Sequence, residues 1–269
     1  MYPKLFTFKT PEFLQGILPN SITLYSYGLM IAIGIMVAYW FVTRRTKAFG
    51  VNKDQISTLF IWSIFAGFVG GKLFFFFEDF SRYLNDPSLF LNITGGGFVF
   101  YGSVLFVVPV IVFWLKKKGI PIRPFIDIVA FVGPIVQAFG RVGCFLAGCC
   151  HGKACNNFLG VTFTHPDSLA NPKNVALYPT QLFDIAINLI ILIVLFWFEK
   201  RQQFKGQLML LYLMMYAVGR SINEVFRGDE ERGFLFGGNV SHSQFIALCI
   251  FVFCTVIWLR WRKLPAEKI

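Results

Sequence analysis

Charge is what this sequence has least of. Asp, Glu, Lys and Arg make up only 14% of its 269 residues, where soluble domains carry roughly a quarter. A chain so poor in charge has too little polar surface to stay in water, which argues against a soluble globular fold. Acidic residues are the scarcer sign, 14 against 25 Lys and Arg, leaving a net charge of +11. Cysteines number six, too few and in too apolar a context for a disulfide scaffold. Cys249 and Cys254 lie in an apolar run and read as small core residues. The sequence also lacks an internal repeat, a low-complexity linker and a second domain, so residues 1–269 are expected to form a single domain. The first twenty residues hold Pro3, Lys4, Lys9, Pro11 and Pro19 and no long apolar run, so no secretory signal is expected.

What the chain has instead is apolar length. Hydrophobic residues reach 56%, and 34 residues are Phe. A spanning helix needs about 20 mostly apolar residues. Seven stretches qualify: 21–43, 55–77, 98–115, 124–148, 181–198, 207–226 and 243–259. The expected fold class is therefore all-α, a polytopic integral membrane protein of about seven transmembrane helices. Asn20, Ser21, Asp54 and Ser241 are expected as helix N-caps.

The charges fix an orientation, because short cytoplasmic loops are enriched in Lys and Arg. Arg44, Arg45, Lys47 and Lys53 fall in the first connection. Lys116, Lys117, Lys118 and Arg123 fall in the third, and Lys200, Arg201 and Lys205 in the fifth. Arg260, Arg262, Lys263 and Lys268 end the chain. The alternate side has Lys4, Lys9, Arg82, Lys153, Lys173, Arg227 and Arg232, seven against fifteen. The N-terminus is thus expected outside and the C-terminus in the cytoplasm, with a small extracytoplasmic loop region around 149–180. Most of the basic excess is topological, so no nucleic-acid partner is expected; the partner surface is the lipid bilayer.

Lys72, Arg141 and Arg220 fall inside apolar segments, joined by Asp127, Asp184 and Glu224. An ionisable group at membrane depth costs a few kcal/mol or more and faces the bundle interior or a wet cavity. A single such charge is as well explained by an ion pair that glues helices; several at shared depth point to a site. In the sixth segment Tyr216, Arg220, Glu224 and Arg227 are spaced four, four and three apart, one helix face. An internal Arg220–Glu224 pair is the plain reading, but with Arg227 the stripe is net positive and suits an anionic headgroup.

In the fourth segment Gly140, Cys144, Gly148 and Gly152 recur every four residues, with Gly143 among them. Small residues at that period let another helix, or a lipid, approach the backbone. Packing explains the glycines and leaves Arg141 unexplained. A guanidinium holds phosphate through paired, charge-assisted hydrogen bonds, and two arginines on different helices can clamp one phosphodiester. The second segment carries Gly70-Gly71-Lys72, another small-residue contact with a cation, and Gly95, Gly96, Gly97 and Gly102 flank Tyr101 at the entry to the third. Cys144, Cys149, Cys150, His151 and Cys155 invite a metal reading, but C-x4-C-C-H-x3-C is not a standard zinc spacing. No metal is expected, and a Cys150–Cys155 disulfide on the oxidising outer side is the better expectation.

Taken in order, these motifs resemble the prolipoprotein diacylglyceryl transferase family over nearly the whole chain. Tyr27-Gly28-Leu29-Met30 resembles its Tyr-Gly-Leu-Met, Gly70-Gly71-Lys72 its Gly-x-Arg/Lys, and residues 95–102 its Gly-Gly-x-x-Phe-His-Gly segment. Asp127 matches an acidic residue ahead of the signature that Gly140-Arg141-Val142-Gly143 opens and Gly148 and Gly152 continue. Pro179-Thr180-Gln181-Leu182 resembles Pro-Ser/Thr-Gln-Leu-Tyr-Glu, and the stripe from Tyr216 to Arg227 resembles Tyr-x-x-x-Arg-x-x-x-Glu-x-x-Arg.

The resemblance implies an enzyme of the bacterial cytoplasmic (inner) membrane with its active site toward the outer leaflet. Such enzymes move the diacylglyceryl group of phosphatidylglycerol onto the lipobox cysteine of a preprolipoprotein, at its signal peptide, without a cofactor. It implies that Arg141 and Arg220 hold the phosphate, that Glu224 orients Arg220, and that Tyr27 and Gln181 hydrogen-bond headgroup or peptide. Lys72, Tyr216, Arg227, Gly140, Gly143, Gly148 and Gly152 line the substrate site by the same resemblance. The chain departs from the pattern where Tyr101 replaces His, Cys144 replaces Asn, Cys149 replaces Glu, and Phe183-Asp184 replaces Tyr-Glu. A phenol is a poor base near neutral pH, so Tyr101 occupies the catalytic position without supplying an obvious proton acceptor; His151 is a substitute by position alone. The competing reading is a transporter or lipid-binding protein of the same fold, against which stands the absence of an inverted repeat.

Overall fold

A computed structural model describes residues 2–10, 21–78, 80, 98–227, 234–235 and 240–263. Pro11, Pro19, Asn20, Arg82, Gly95, Gly96, Gly97, Arg232 and Lys268, invoked above, lie outside them. Among the described residues seven α-helices dominate: α1 (Ser26–Arg45), α2 (Lys53–Glu78), α3 (Phe100–Lys118), α4 (Ile122–Ala147), α5 (Thr180–Glu199), α6 (Gln207–Phe226) and α7 (His242–Trp261). Five of them, α1, α2, α4, α5 and α7, are long and apolar enough to cross a membrane. The other two carry more polar residues: α3 ends in three lysines, and α6 holds Arg220, Asn223 and Glu224.

Two helix starts differ from expectation. Residues Ser21–Tyr25 form a strand, β2, antiparallel to β1 (Lys4–Lys9), and α1 begins only at Ser26. The run Ser-Ile-Thr-Leu-Tyr is rich in the β-branched and aromatic residues that suit a pleated ribbon. Asp54 lies in the first turn of α2, and Asn52 does the capping: its Oδ1 accepts from Gln55 N at 2.9 Å while Gln55 Oε1 accepts from Asn52 N at 3.3 Å. Ser241 caps α7 in the same reciprocal way with Gln244.

The chain divides into two compact units, Val42–Phe125 and the remainder (Met1–Phe41 with Ile126–Ile269). In the smaller unit α2 and α3 cross where glycines allow. A methyl group on Gly70 would strike the Gly102 carbonyl and the Phe106 ring, and one on Gly102 would strike the Gly70 carbonyl. Ser103 Oγ donates to the Gly67 carbonyl at 2.8 Å across the same seam.

In the larger unit α1 and α4 approach through Gly34, Gly140 and Gly143. A Cβ on Gly143 would lie 3.0 Å from Tyr27 Cα, and one on Gly140 3.2 Å from Ile31. The rings of Phe41, Phe131 and Phe196 join α1, α4 and α5, with Phe131 and Phe196 centred 4.8 Å apart. The connection from α4 to α5 carries a two-stranded ribbon, β3 (Val161–Thr162) with β4 (Ala176–Leu177), over a small core of Phe163, Ala170 and Leu177. A third ribbon pairs β5 (Phe234–Leu235) with β6 (Val240–Ser241).

Candidate functional site

The site is built where α4 ends, α5 begins and α6 runs past, all within the larger unit. The end of α4 is a Schellman motif. Gly148 takes φ +80°, its N–H donates to the Phe145 carbonyl at 3.2 Å, and Cys149 N–H donates to the Cys144 carbonyl at 3.1 Å. This motif normally brings the residue after the glycine against the one five before it. Here those two residues are Cys149 and Cys144. Cys150 follows at φ 61°, also left-handed, and its thiol joins them: the three Sγ atoms lie within 4.8 Å of one another.

The start of α5 holds this turn in place. Gln181, fully buried, donates from Nε2 to the Cys149 carbonyl at 2.7 Å, and Thr180 Oγ1 donates to the Cys150 carbonyl at 2.7 Å. Asn223 of α6 donates to the Thr180 carbonyl at 3.1 Å. Gly152 is pressed between the Phe226 carbonyl, Thr180 and Tyr178, so any side chain there would collide. A side chain on Gly148 would meet Ser168 as well as strain the backbone.

Two cations lie on the helices that flank this turn, Arg141 on α4 and Arg220 on α6. Arg141, one turn before Cys144, pairs through Nε with Asp184 Oδ2 at 2.8 Å. Arg220 pairs through Nη2 with Glu224 Oε2 at 2.7 Å, with side-chain exposures of 12% and 9%. Arg220 Nη1 is buried with no hydrogen-bond partner among the described residues, as are Gln181 Oε1, Gln137 Oε1, Asn188 Oδ1 and Asn223 Oδ1. A buried donor or acceptor left unpaired costs about 1–3 kcal/mol. So many on α4, α5 and α6 mark a polar interior suited to a polar ligand.

Tyr216 and the thiols of Cys144 and Cys150 lie close enough to Arg141 to act on it electrostatically, and Tyr27 is within such range of Arg141 and all three thiols. Thiol hydrogen bonds from Cys144 and then Cys149, with Arg141 and Arg227 adding positive charge, hold the Cys150 thiol well below its ordinary range. The same bonds, to Cys144 first and Cys150 second, push Cys149 up.

The larger unit thus gathers Tyr27, Gly140, Arg141, Gly143, Gly148, Gly152, Gln181, Tyr216, Arg220, Glu224 and Arg227. Lys72 and Tyr101 belong to the smaller unit, on α2 and α3, where Tyr101 is 65% exposed. The Cys150–Cys155 disulfide is not formed; all six cysteines are free. The left-handed turn carries Cys150 toward Cys144 and Cys149, while Cys155 is buried against Gly160 and Ala176. His151 is also turned elsewhere: Nδ1 bonds the Gly152 carbonyl at 2.9 Å and Nε2 accepts from Asn171 N at 3.3 Å.

Asp127 has a different part. It lies at the opposite end of α4 and accepts from the backbone N–H of Gly206, Leu208 and Met209 at 2.6, 2.9 and 3.2 Å, and from Gln202. It anchors the N-terminus of α6. Reading only charges at membrane depth missed the buried amides Asn223, Asn188 and Gln137. An amide inside an apolar segment is the signal that would have found them.

Membrane-length helices that carry two ion-paired arginines, Arg141 and Arg220, define a multi-pass integral membrane protein. The chain belongs to the prolipoprotein diacylglyceryl transferase family, whose model matches residues 16–260. It is 36% identical over 228 residues to the phosphatidylglycerol–prolipoprotein diacylglyceryl transferase of Clostridium tetani, covering 84% of this chain and 88% of that one. It is 34% identical to phosphatidylglycerol–prolipoprotein diacylglyceryl transferase 2 of Clostridium perfringens over 91% of this chain and 95% of the relative. A Legionella pneumophila protein of the same name is 31% identical over 88% and 91% of the two chains.

Proposed function

We infer that this chain transfers the diacylglyceryl group of phosphatidylglycerol to the lipobox cysteine thiol of a preprolipoprotein, forming a thioether and releasing glycerol phosphate. The observation that carries the reading is Arg220. Its side chain is 12% exposed, held by Glu224 on one nitrogen, and left with a buried, unpaired Nη1. A fixed donor of this kind in a low-dielectric interior stabilises charge developing on a leaving phosphate without reorganising. Arg141, fixed through Nε by Asp184, keeps the outer face of its guanidinium for the same phosphodiester.

In this reading Arg141 and Arg220 are the phosphate clamp and Glu224 sets the Arg220 rotamer. Tyr27, Gln181, Tyr216 and Arg227 bind headgroup or peptide, and Gly140, Gly143, Gly148 and Gly152 shape the walls; for Lys72 and Tyr101, in the smaller unit, a role rests on the sequence resemblance alone. All seven helices span the bacterial inner membrane, with the N-terminus outside, the C-terminus inside and the site toward the outer leaflet. The Lys and Arg distribution among the connections supports this.

The test incubates the purified protein in detergent with headgroup-intact, acyl-labelled phosphatidylglycerol and a lipobox peptide. Label on the peptide cysteine is expected; none, with an active family member alongside, refutes the reading. Rescue of a strain lacking its own transferase separates transfer from transport or lipid binding.

A further inference from the structure

Three thiols meet where the family pattern has Asn and Glu, and the phosphate clamp uses none of them. We propose that Cys144, Cys149 and Cys150 bind a thiophilic divalent cation of the zinc class, whose fourth ligand is the thiol of the acceptor cysteine. The second half rests on the transfer reading above; the first does not.

Geometry carries the site. Zinc takes thiolate ligands at about 2.3 Å in a tetrahedron, which sets sulphurs about 3.8 Å apart. The three Sγ atoms already lie within 4.8 Å of one another, so side-chain rotation alone closes them on an ion. The framework is fixed by backbone. The Schellman hydrogen bonds set Cys144 against Cys149, the left-handed φ of Cys150 turns its thiol inward, and Gln181 and Thr180 hold the carbonyls of Cys149 and Cys150. Ligands held by such outer contacts are the ones that bind tightly. Cys144 is buried and the other two are half-buried, dry enough to exclude competing water yet reachable. Three thiolates and a divalent ion leave one negative charge, which Arg141 and Arg227 face.

Two neighbouring groups are not part of the set. His151 has both ring nitrogens engaged, and Cys155 is buried elsewhere. Three protein ligands with one open position is the arrangement of reactive rather than structural zinc. Metal coordination turns a thiol into a nucleophile at neutral pH. The acceptor sulphur would lose its proton on binding the metal. It then bonds to the glyceryl carbon as that carbon's bond to the phosphate oxygen breaks. The departing phosphate monoester keeps the electron pair and takes up a proton. This supplies a thiolate in a chain whose Tyr101 stands where the family has His.

The test uses the whole protein in detergent, purified anaerobically, stripped of metal with a chelator and titrated with Co2+. We expect one equivalent bound, thiolate-to-cobalt charge transfer in the near ultraviolet and the visible bands of tetrahedral cobalt. Cys144→Ser, Cys149→Ser and Cys150→Ser each weaken binding by at least about tenfold, and Cys249→Ser on the exposed face of α7 leaves it unchanged. A lipobox peptide shifts the bands, and the same peptide with serine for its cysteine does not. Folded wild-type protein without a charge-transfer band overturns the site, as does a mass two hydrogens short that reveals a disulfide instead. Cobalt bands that the cysteine peptide leaves unchanged overturn the fourth ligand. Full transfer by stripped, cobalt-refusing protein overturns the metal and leaves the transferase reading standing. Cobalt bands without any transfer, with or without Zn2+, overturn the transferase reading and leave the metal.

Discussion

At the scale of single residues, the arrangement around Arg220 makes the sharpest claim. Its partner Glu224 satisfies one guanidinium nitrogen and no more. Arg220→Ala and Arg141→Ala should each lower transfer by about 100-fold or more, the order of loss when a charge-stabilising donor is removed. Insertion and helicity should persist, read by labelled-lipid transfer beside circular dichroism. Arg220→Lys should recover little, because an ammonium cannot replace the paired geometry of a guanidinium. Wild-type rates in both alanine variants would remove the clamp. Gly148 makes a separate, structural claim. At φ +80° a side chain costs roughly 1–2 kcal/mol, and here it would also press on Ser168. Gly148→Ala should therefore lower the melting temperature in detergent and loosen the three-thiol turn.

At the scale of elements, α6 is tied at both ends by α4 and α5. Asp127 of α4 gathers three backbone donors at the α6 N-terminus, where the helix dipole also favours an anion. Near the other end Asn223 holds the Thr180 carbonyl, and Lys153 N donates to the Phe226 carbonyl at 3.1 Å. The helix that carries Tyr216, Arg220 and Glu224 is thereby fixed along its axis. Asp127→Ala should cost about 2 kcal/mol, the upper range for a buried charge at a helix terminus. That corresponds to roughly 5 °C in melting temperature for a chain of this size. Residual transfer measured well below that temperature should stay near wild type, since Asp127 lies at the far end of α4 from the clamp. An equally stable Asp127→Ala would show that the anchor is incidental.

At the scale of the molecule, the basic connections predict which loops face which compartment. A single cysteine placed at the exposed Phe158 in the 149–180 region should react with a membrane-impermeant maleimide on intact cells. A cysteine near Lys263 should react only after lysis. The reverse pattern would invert the orientation and overturn the expectation of a site toward the outer leaflet.

The sequence by itself determined the solvent, the seven helical segments and the face shared by Tyr216, Arg220 and Glu224, because hydropathy and a 3.6-residue period are local properties; Arg227, expected on that face, is instead the extended residue that ends α6. The sequence also carried the order of motifs that places the chain in its family. Tertiary structure decided what those local signals leave open. Asp127 and Arg141 are both charges within one apolar segment, yet one anchors the N-terminus of α6 and the other pairs with Asp184 of α5; only the partners brought by α5 and α6 distinguish them. The N-terminal ribbon formed because residues Ser21–Tyr25 found Lys4–Lys9, a pairing that no window of hydropathy contains. The cysteines show the limit most plainly. Their linear spacing matches no zinc pattern, but a helix cap that reverses the chain within two residues gathers three sulphurs into one cluster. Scarcity of charge defined the class of protein, and the folding of α4 onto α5 and α6 defined where its few buried charges act.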